Sequence, residues 1–334
     1  MPARIHTPTP RNLRLLAGVL RRGGLVAIPT ETVYGLAANA LDARACRRIF
    51  QAKRRPAHDP LIVHVPNLPA AEQLAEFNAA ARVLARHFWP GPLTLVLPRK
   101  AAVPDVVTSG QSTVALRSPS HPLARRLLKL SGVPLAAPSA NLFGYVSPTT
   151  ALHVQAGLGR HIAHILDGGP CQVGVESTIV DLSEQGMLRV LRPGAISARQ
   201  LLAVIRAAGL TLRLGRITGR SPVLAPGLLD QHYSPHTPLT LCRQSGALAH
   251  HSATAGTAVI RLKGSATPTA PNAFFLSKTG SLAEIARNLY ATLRQADARG
   301  FERILVQMVP PSRRSALAIA INDRLKRAAG KRRG

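Results

Sequence analysis

The chain has 334 residues, of which 46% are hydrophobic, and it carries 43 Lys and Arg against 15 Asp and Glu, a formal net charge of +28. This length favours two domains over one, and the hydrophobic content excludes a disordered chain. The charge favours anionic partners such as nucleotides, nucleic acid or acidic membrane surfaces, although a GC-rich genome would account for the excess of Arg equally well.

The cysteines and the hydropathy pattern indicate the compartment in which the protein is expected to reside. Cys46, Cys171 and Cys242 lie far apart and form no CxxC pair, which argues against a zinc site and a disulfide framework. The apolar stretch 13–20 is interrupted by Arg14, and no apolar run reaches the roughly 18 residues needed to span a membrane. We therefore expect a soluble protein of the reducing cytoplasm with no membrane partner.

The predicted elements of the first 200 residues or so alternate between helices and strands. A first helix with one apolar face covers residues 13–20 and stops at two glycines. Asp42 is expected to cap a second helix that runs through Lys53, and Ser197 to cap a later one. Strands are expected at 25–28, 61–65, 93–97, 113–117, 135–137, 177–182 and 188–191. The alternation predicts an α/β domain, which we place at residues 11–200.

The second half of the chain predicts a linker and a smaller domain. Residues 201–236 are assigned to a basic linker, because from residue 210 Arg alternates with Gly, Ser and Pro without apolar periodicity. In residues 237–330, Ser281 and Glu284 form a capping-box pattern that opens a helix, and another helix begins at Ser315. Strands are expected at 258–262, 274–276 and 304–309. This order predicts a small Rossmann-like sheet.

The common nucleotide-binding and hydrolase motifs GxxxxGK[ST], GxGxxG, HExxH and GxSxG do not occur in the sequence. Polar stretches instead follow predicted strands, where α/β folds place ligands. They are PTETVYG at 29–35, KRRP at 53–56, APSANLFGYVSPT at 137–149, and GVESTIVD at 174–181 followed by RPG at 192–194. Taken singly, each is explained about as well by an ordinary turn or helix cap.

The cations at the end of the second helix suggest an anion site. Pro56 disfavours helical geometry at Arg55, so an extended ending could aim Lys53 and Arg55 at one phosphate. The alternative is that cations favour helix C-termini through the macrodipole, which suffices for Arg54. We expect Lys53 and Arg55 to be exposed in a cleft. We also expect Thr149 to cap a helix whose N–H groups meet an anion.

Six segments occur here in one order: PTETVYGL, KRRPAHDPLIVHV, VALRSPSHP, APSANLFGYVSPT, ESTIVDL and RPGAI. The combination resembles the YrdC-like threonylcarbamoyl-AMP synthases over about residues 11–200. APGLLDQHYSPH at 225–236 resembles the linker of their longer, two-domain members, and the remainder resembles their small C-terminal domain. The resemblance implies a twisted, mixed-sheet α/β domain followed by a Rossmann-like one.

The resemblance also implies a nucleotidyltransferase reaction. L-threonine and bicarbonate or CO2 would form a carbamate whose oxygen attacks the α-phosphorus of ATP and releases pyrophosphate. The product, threonylcarbamoyl-AMP, would pass to a separate transferase complex that modifies the adenosine next to the anticodon of tRNA. Mg2+ is expected with ATP and, without an evident carboxylate cluster, would be bound through the phosphates. Direct contact with tRNA stays open.

The family pattern assigns roles to individual residues. Lys53 and Arg55 match the catalytic basic pair that faces the triphosphate, and Arg117 is the natural partner of the threonine carboxylate. L-threonine-binding positions are matched by Thr32, His64, Arg117, Ser139 and Ser177, with Thr178 close by. Nucleotide-contacting positions are matched by Arg55, Asp59, Thr113, Asn141, Thr149, Arg192 and Tyr233. Tyr233 and His232 belong to a linker segment that would close over the nucleotide and exclude water.

Three residues depart from the family pattern. Arg54 stands where Gly is usual, Phe143 where Ser is usual, and Asp59 where Asn or His is common. An anionic Asp among phosphates is unfavourable unless it reaches the ribose, a metal or Arg55. The role of Asp59 therefore depends on which of these it contacts.

Other interpretations of the residues remain open. A lone His in an apolar strand, such as His64, is more often a core residue, and only the resemblance assigns it to a pocket. A non-enzymatic basic RNA-binding protein with a YrdC-like fold would fit the charge, although 4% aromatic residues supply few stacking platforms. The carbamoyl-transfer proteins of hydrogenase maturation embed a similar domain, but they are much longer and carry zinc-finger cysteines.

Overall fold

The computed structural model describes residues 2–215, 232–243, 256–264, 270–312 and 314–330. These residues form a large mixed sheet and a smaller parallel sheet, each with packed helices, which confirms the predicted fold class. Residues 216–231 of the predicted linker and residues 331–334 of the basic tail lie outside the described residues. Among the helices described, none combines the length and the apolarity that a membrane crossing requires.

The elements follow one another in mixed α/β order. The strands of the first unit are β1 (Arg4–His6), β2 (Val26–Ile28), β3 (Gly35–Asn39), β4 (Ile62–His64), β5 (Leu93–Pro98), β6 (Thr113–Arg117), β7 (Leu135–Ala136), β8 (His164–Leu166), β9 (Thr178–Asp181), β10 (Met187–Arg192) and β11 (Arg213–Gly215). Its helices are α1 (Pro10–Arg21), α2 (Ala43–Lys53), α3 (Leu68–Glu72), α4 (Ala79–Phe88), α5 (Asp105–Thr108), α6 (Pro122–Ser131), α7 (Ala151–Leu158) and α8 (Ala198–Ala207). The second unit comprises β12 (Leu239–Cys242), β13 (Thr257–Lys263), β14 (Ala273–Ser277), α9 (Leu282–Asp297), β15 (Arg303–Gln307) and α10 (Ala316–Ala329).

The large sheet is mixed and has the strand order β1-β8-β2-β3-β7-β4-β6-β5-β9-β10-β11. Strand β6 illustrates the mixture, because it pairs in parallel with β4 and antiparallel with β5. In the first of these pairs His64 lies opposite Arg117. Two residues from different predicted motifs thus become neighbours at the carboxyl ends of adjacent strands.

Alternation along the strands separates the main core from the face that carries the pocket. Val63 and Leu116 point to one face and pack with α2 and α4 in the main hydrophobic core. Helices α1 and α6 cover β2 and β7 on the other face. Ile62, His64 and Arg117 alternate with these residues along β4 and β6 and so belong to the second face. Over β4 and β6 this face borders a polar pocket.

Local signals in the sequence account for several helix boundaries. Asp42 caps α2 by accepting the N–H groups of Arg44 and Ala45 at 2.8 and 3.1 Å. Ser197 and Gln200 form a reciprocal capping box at the start of α8. These caps are confirmed because each joins groups only two or three residues apart.

Two predicted caps are wrong. Ser281 makes no side-chain cap at α9, because the Glu284 carboxylate accepts instead from the hydroxyl of Ser277, at 2.5 Å, in the preceding strand. Helix α7 begins directly after Thr150, so Thr150 rather than Thr149 provides its cap. In both cases the residue types were suitable, but competing neighbours decided the bond.

Five short strands were not predicted, namely β1, β3, β8, β11 and β12. Strand β11 lies in the predicted linker and pairs in parallel with β10. Leu201 and Ile205 of α8 are buried in the main core, so residues 201–215 are part of the first unit and the linker was predicted to begin too early. Strand β1 likewise extends that unit to a point before residue 11. Apart from β3, which also pairs with the nearby β2, these strands are defined by partners distant in sequence, which is why local periodicity does not reveal them.

The second unit is a four-stranded parallel sheet of order β12-β15-β13-β14, as predicted for a Rossmann-like domain. Its hydrophobic cluster includes Val146 and Val175 of the first unit together with Tyr233. At Gly174 (φ 80°) a Cβ atom would lie 2.4 Å from the carbonyl oxygen of Ala286 in α9, so only glycine permits this close approach. The two units therefore pack directly against each other beside the pocket.

Candidate active site

A cavity lies between the second face of the large sheet and the described linker residues. It brings together residues from all seven sequence segments that the family resemblance assigned to one site. The predicted residues in its lining are Thr32, Arg55, His64, Arg117, Ser139, Arg192 and Tyr233, and His232 and Glu176 join them. The other predicted site residues are not among its lining residues; they are Lys53, Asp59, Thr113, Asn141, Thr149 and Ser177.

Arg117 occupies one end of the cavity and is held on three sides. Its Nη1 donates to the hydroxyl of Thr32 at 3.0 Å, and its Nε donates to the carbonyl of Gly91 at 3.3 Å. Its Nη2 lies 2.8 Å from Oε1 of Glu31, and both side chains are buried. Burial alone would raise the pKa of Glu31, but the charge of Arg117 together with nearby N–H donors lowers the pKa below its ordinary value. Glu31 thus forms a buried ion pair that orients Arg117.

His64 lies next to Arg117 and is buried in strand β4. Its Nδ1 has no hydrogen-bond partner among the described residues. Burial, followed by the charge of Arg117, lowers the pKa of His64 to about 3. The ring is therefore neutral near pH 7 and offers an unused polar atom beside the guanidinium, which suits a pocket residue better than a satisfied core residue.

The buried histidines make stability fall below neutral pH. Burial also lowers the pKa of His232 to about 3, so between pH 6.5 and 3 the unfolded chain binds protons that the folded chain does not. Each histidine should cost about 1.4 kcal/mol of unfolding free energy by pH 5.5. Urea unfolding at pH 7.5 and 5.5 checks this. His64→Gln should remove about 1.4 kcal/mol of the difference, whereas an equal slope in His64→Gln and in the exposed-site control His161→Gln would contradict the assignment.

Lys53 is not the exposed cation that was predicted. It is 1% exposed, and its Nζ donates to the backbone carbonyls of Ser139 at 2.6 Å and Asn141 at 2.5 Å. Burial, followed by the nearby charge of Arg55, holds the pKa of Lys53 well below its ordinary value. The side chain ties the end of α2 to the loop that carries the SxN pair, so its direct contribution is to position that loop.

Arg55 is also buried rather than exposed, at 6% relative exposure. Its Nε donates to the carbonyl of Asp59 at 2.9 Å and its Nη2 to the carbonyl of Pro60 at 2.8 Å. Nη2 also lies 2.9 Å from Oδ2 of Asp59. Of the three partners considered for Asp59, the structure supplies Arg55. By extension of the β4–β6 register, Thr113 comes level with Pro60, which brings it to the Arg55 end of the cavity.

Arg54 adopts the left-handed conformation that ends α2, with φ 52° and ψ 38°. This conformation is the one for which glycine is preferred, which accounts for the glycine usual at this position. The turn directs the chain back, so that the flanking cations Lys53 and Arg55 are both buried on the cavity side.

Arg192 and Ser177 connect the ends of two antiparallel strands. The Nε of Arg192 donates to the carbonyl of Ser177 at 3.2 Å, and its Nη2 to the hydroxyl of Ser177 at 3.1 Å. That hydroxyl also lies 2.7 Å from the hydroxyl of Thr94. The neighbouring Thr178 has a different task, because its hydroxyl donates to the carbonyl of Ile196. A predicted threonine-binding residue and a predicted nucleotide-binding residue therefore share one hydrogen-bond network.

Asn141 fixes the loop opposite Lys53. Its Nδ2 donates to the carbonyls of Leu142 at 2.7 Å and Tyr145 at 2.8 Å, whereas its buried Oδ1 has no partner among the described residues. Thr149, farther along the same loop, has its hydroxyl 3.3 Å from a ring nitrogen of His153.

The described linker residues close one side of the cavity. Tyr233 is 1% exposed, has φ 65°, and stacks on Tyr290 of α9 with ring centroids 5.7 Å apart. His232 packs edge-on against Phe143 at 5.9 Å. The unusual Phe143 thus supplies an apolar contact for the linker.

Two buried carboxylates were missed from the sequence. Glu31 orients Arg117, and Glu176 lies in the cavity wall directly before Ser177. The Glu176 carboxylate accepts hydrogen bonds from the hydroxyls of Ser147 and Tyr290 and from Arg324. Glu31 belongs to the family motif PTETVYGL and Glu176 to ESTIVDL. Their place in these motifs was the sequence signal that could have identified them as site residues. No group of three or more His, Cys, Asp or Glu suited to a metal ion occurs in the part of the chain that the structure describes.

Two family models together match almost all of the chain. Residues 18–194 match the model of Sua5, YciO and YrdC proteins, which is described as "Telomere recombination". Residues 196–330 match the model described as "Threonylcarbamoyl-AMP synthase, C-terminal domain". The two models meet near residue 195, before α8, so the second model also includes α8 and β11 of the first unit.

Similar proteins cover the full length. The threonylcarbamoyl-AMP synthase of Pyrococcus abyssi is 42% identical and covers 96% of this chain and 94% of its own. That of Bacillus subtilis is 39% identical and covers 95% and 92%. The crystal structure of P. abyssi Sua5 complexed with L-threonine has a TM-score of 0.86 at 39% identity and covers 98% of both chains. Escherichia coli YciO, at 21% identity and a TM-score of 0.53 over 60% of this chain, shares the fold.

Proposed function

The chain belongs to the Sua5, YciO and YrdC family in its two-domain form, the threonylcarbamoyl-AMP synthases, and we propose that it is a nucleotidyltransferase that joins the AMP part of ATP to the carbamate of L-threonine. One observation carries the proposal. A single cavity is lined by Arg117, Thr32 and His64 and by the cations Arg55 and Arg192. Arg117 lies opposite His64 at the end of β4, whereas Arg55 donates to the carbonyl of Pro60, before that strand begins. This arrangement suits an amino acid next to a nucleotide.

The Arg117 end is the proposed L-threonine site. The guanidinium would pair with the substrate carboxylate, and Glu31 and Thr32 hold it in place for that contact. The neutral ring of His64 adds a polar atom that can bond the substrate. The L-threonine complex of the similar P. abyssi protein supports the choice of amino acid.

The Arg55 end is the proposed ATP site. The amine of L-threonine would take up bicarbonate with loss of water, and an oxygen of the resulting carbamate would attack the α-phosphorus. The bond from that phosphorus to the bridging oxygen breaks, and pyrophosphate leaves with the electron pair. Arg55 and Arg192 would offset charge on the phosphates, and Lys53 would hold the SxN loop against them. Mg2+, bound by the phosphates, would supply further charge neutralisation.

Linker residues 232 and 233 would protect the product. Tyr233 and His232 are buried in the cavity wall, and exclusion of water there would slow hydrolysis of the mixed anhydride. We propose that the product passes to a separate transferase complex for modification of tRNA next to the anticodon.

Pyrophosphate release tests the proposed function. We expect release from ATP to require L-threonine, bicarbonate and Mg2+ together, and to stop when EDTA removes the metal ion. D-threonine is the matched control, because it carries the same groups in the wrong arrangement. Release without threonine would contradict the adenylate reaction. No release, with salt-sensitive RNA binding intact, would favour the RNA-binding alternative.

A further inference from the structure

Arg324 of α10 extends from the second unit into the wall of the cavity. Its side chain is 1% exposed. Its Nε donates to Oε2 of Glu176 at 2.7 Å, and its Nη2 donates to the carbonyl of Pro193 at 2.9 Å. Its Nη1 is bonded to the neighbouring Asp323 at 2.6 Å. One buried guanidinium therefore joins the two units at two points.

Both points of contact adjoin proposed substrate-binding residues. Glu176 directly precedes Ser177 at the start of β9, and Pro193 directly follows Arg192 at the end of β10. Ser177 and Arg192 are themselves hydrogen-bonded to each other. A shift of Arg324 would therefore move the backbone on both sides of this pair.

The same guanidinium also contacts the linker. Its carbon Cζ lies 5.3 Å from the ring centroid of Tyr233, within cation–π range. Tyr290 of α9 completes the group, because its ring stacks on Tyr233 and its hydroxyl donates to Glu176 at 2.9 Å. The cavity wall, the linker and the second unit thus meet in one buried cluster.

The charges in this cluster are matched. Burial would raise the pKa of Glu176, but Arg324 and then Arg192 outweigh it, and the pKa is held at about 2. The carboxylate is ionised at neutral pH and accepts from Ser147 as well. The ion pair of Glu176 and Arg324, in which each partner makes further hydrogen bonds, has few alternative arrangements, which makes it suited to fixing geometry.

We propose that Arg324 is a positioning residue for the adenylation reaction, contributed to the active site by the second unit. It holds Ser177, Arg192 and Tyr233 in the arrangement that L-threonine and ATP require. The inference rests on the proposed function and assigns the second unit a part in it.

Arg324→Met tests the inference, because Met retains an apolar stem of similar length and removes the charge and the donors. We expect kcat/KM for L-threonine and for ATP to fall by about 10- to 100-fold, as small displacements of reacting groups commonly cause. Arg287→Gln is the matched control. Arg287 also joins the units, by donating to the carbonyl of Gln172 at 3.1 Å, but it contacts no residue of the cluster.

Two further variants and a binding measurement distinguish a positioning role of Arg324 from a purely structural one. Arg324→Lys should recover part of the activity, because Lys can still pair with Glu176. Glu176→Gln combined with Arg324→Met removes both charges of the ion pair, so it should recover most of the stability lost in Arg324→Met but not KM. If kinetic constants per folded molecule stay at the wild-type values in Arg324→Met or in the double variant, the inference is wrong.

If wild-type protein lacks threonine-dependent release, the proposed function fails instead. In that case the affinity for L-threonine, measured by calorimetry, tests the role of Arg324 instead. Unchanged affinity in Arg324→Met would overturn the inference.

Discussion

Replacing Arg117 with Met should raise the KM for L-threonine by about 10²- to 10⁴-fold, because two hydrogen bonds from a charged donor to the substrate carboxylate are lost. The KM for ATP should change much less, since Arg55 is bonded to the chain before β4 begins, whereas Arg117 lies opposite His64 at the end of that strand. Initial rates of pyrophosphate release at varied threonine and fixed ATP give the first constant. The reverse series gives the second.

The Arg117→Met variant also leaves a buried carboxylate without its partner. Glu31 is 4% exposed and pairs with Arg117 at 2.8 Å, so the single substitution should lower the free energy of unfolding by roughly 3–5 kcal/mol. Adding Glu31→Gln removes the unpaired charge and should restore most of that stability. If the double variant also recovered the KM for L-threonine, Arg117 would not be the carboxylate-binding residue.

Arg55→Ala should reduce turnover by about 10³-fold or more, the scale on which a single arginine acts in phosphoryl transfer. The sequence alone suggested a large loss of activity with little loss of stability, because Arg55 was expected to be exposed. The structure changes that expectation. The guanidinium is buried and paired with Asp59, so the substitution should also cost roughly 3–5 kcal/mol of unfolding free energy.

The combined variant Arg55→Ala and Asp59→Asn separates the two effects. With Asp59 neutral, most of the lost stability should return, as judged by urea unfolding. Turnover should remain low, because the cation proposed to face the triphosphate is still absent. Wild-type turnover in this double variant would exclude Arg55 from the reaction. Asp59→Asn alone is the matched control and should be much closer to the wild type.

The sequence by itself determined the family and most of the longer helices and strands. Patterns within a few residues specify helix α2 with its Asp42 cap and several of the strands that follow it. They also specify most of the parallel sheet of the second unit. Ordered motifs such as PTETVYGL and ESTIVDL were sufficient to indicate the reaction and most residues of the cavity lining. A motif specifies which residue types occur in the site, so the types of the lining residues can be read from the sequence without coordinates.

Only the tertiary structure decided which groups are paired. Lys53 and Arg55 matched the family pattern, yet whether they meet water, a carbonyl or a carboxylate depends on how the chain turns at Arg54. Glu176 and Arg324 are 148 residues apart in sequence, and no local pattern connects them. Buried charges are governed by desolvation and by their nearest opposite charge. Both quantities arise only when distant segments pack, so the electrostatics of this site are a property of the assembled fold.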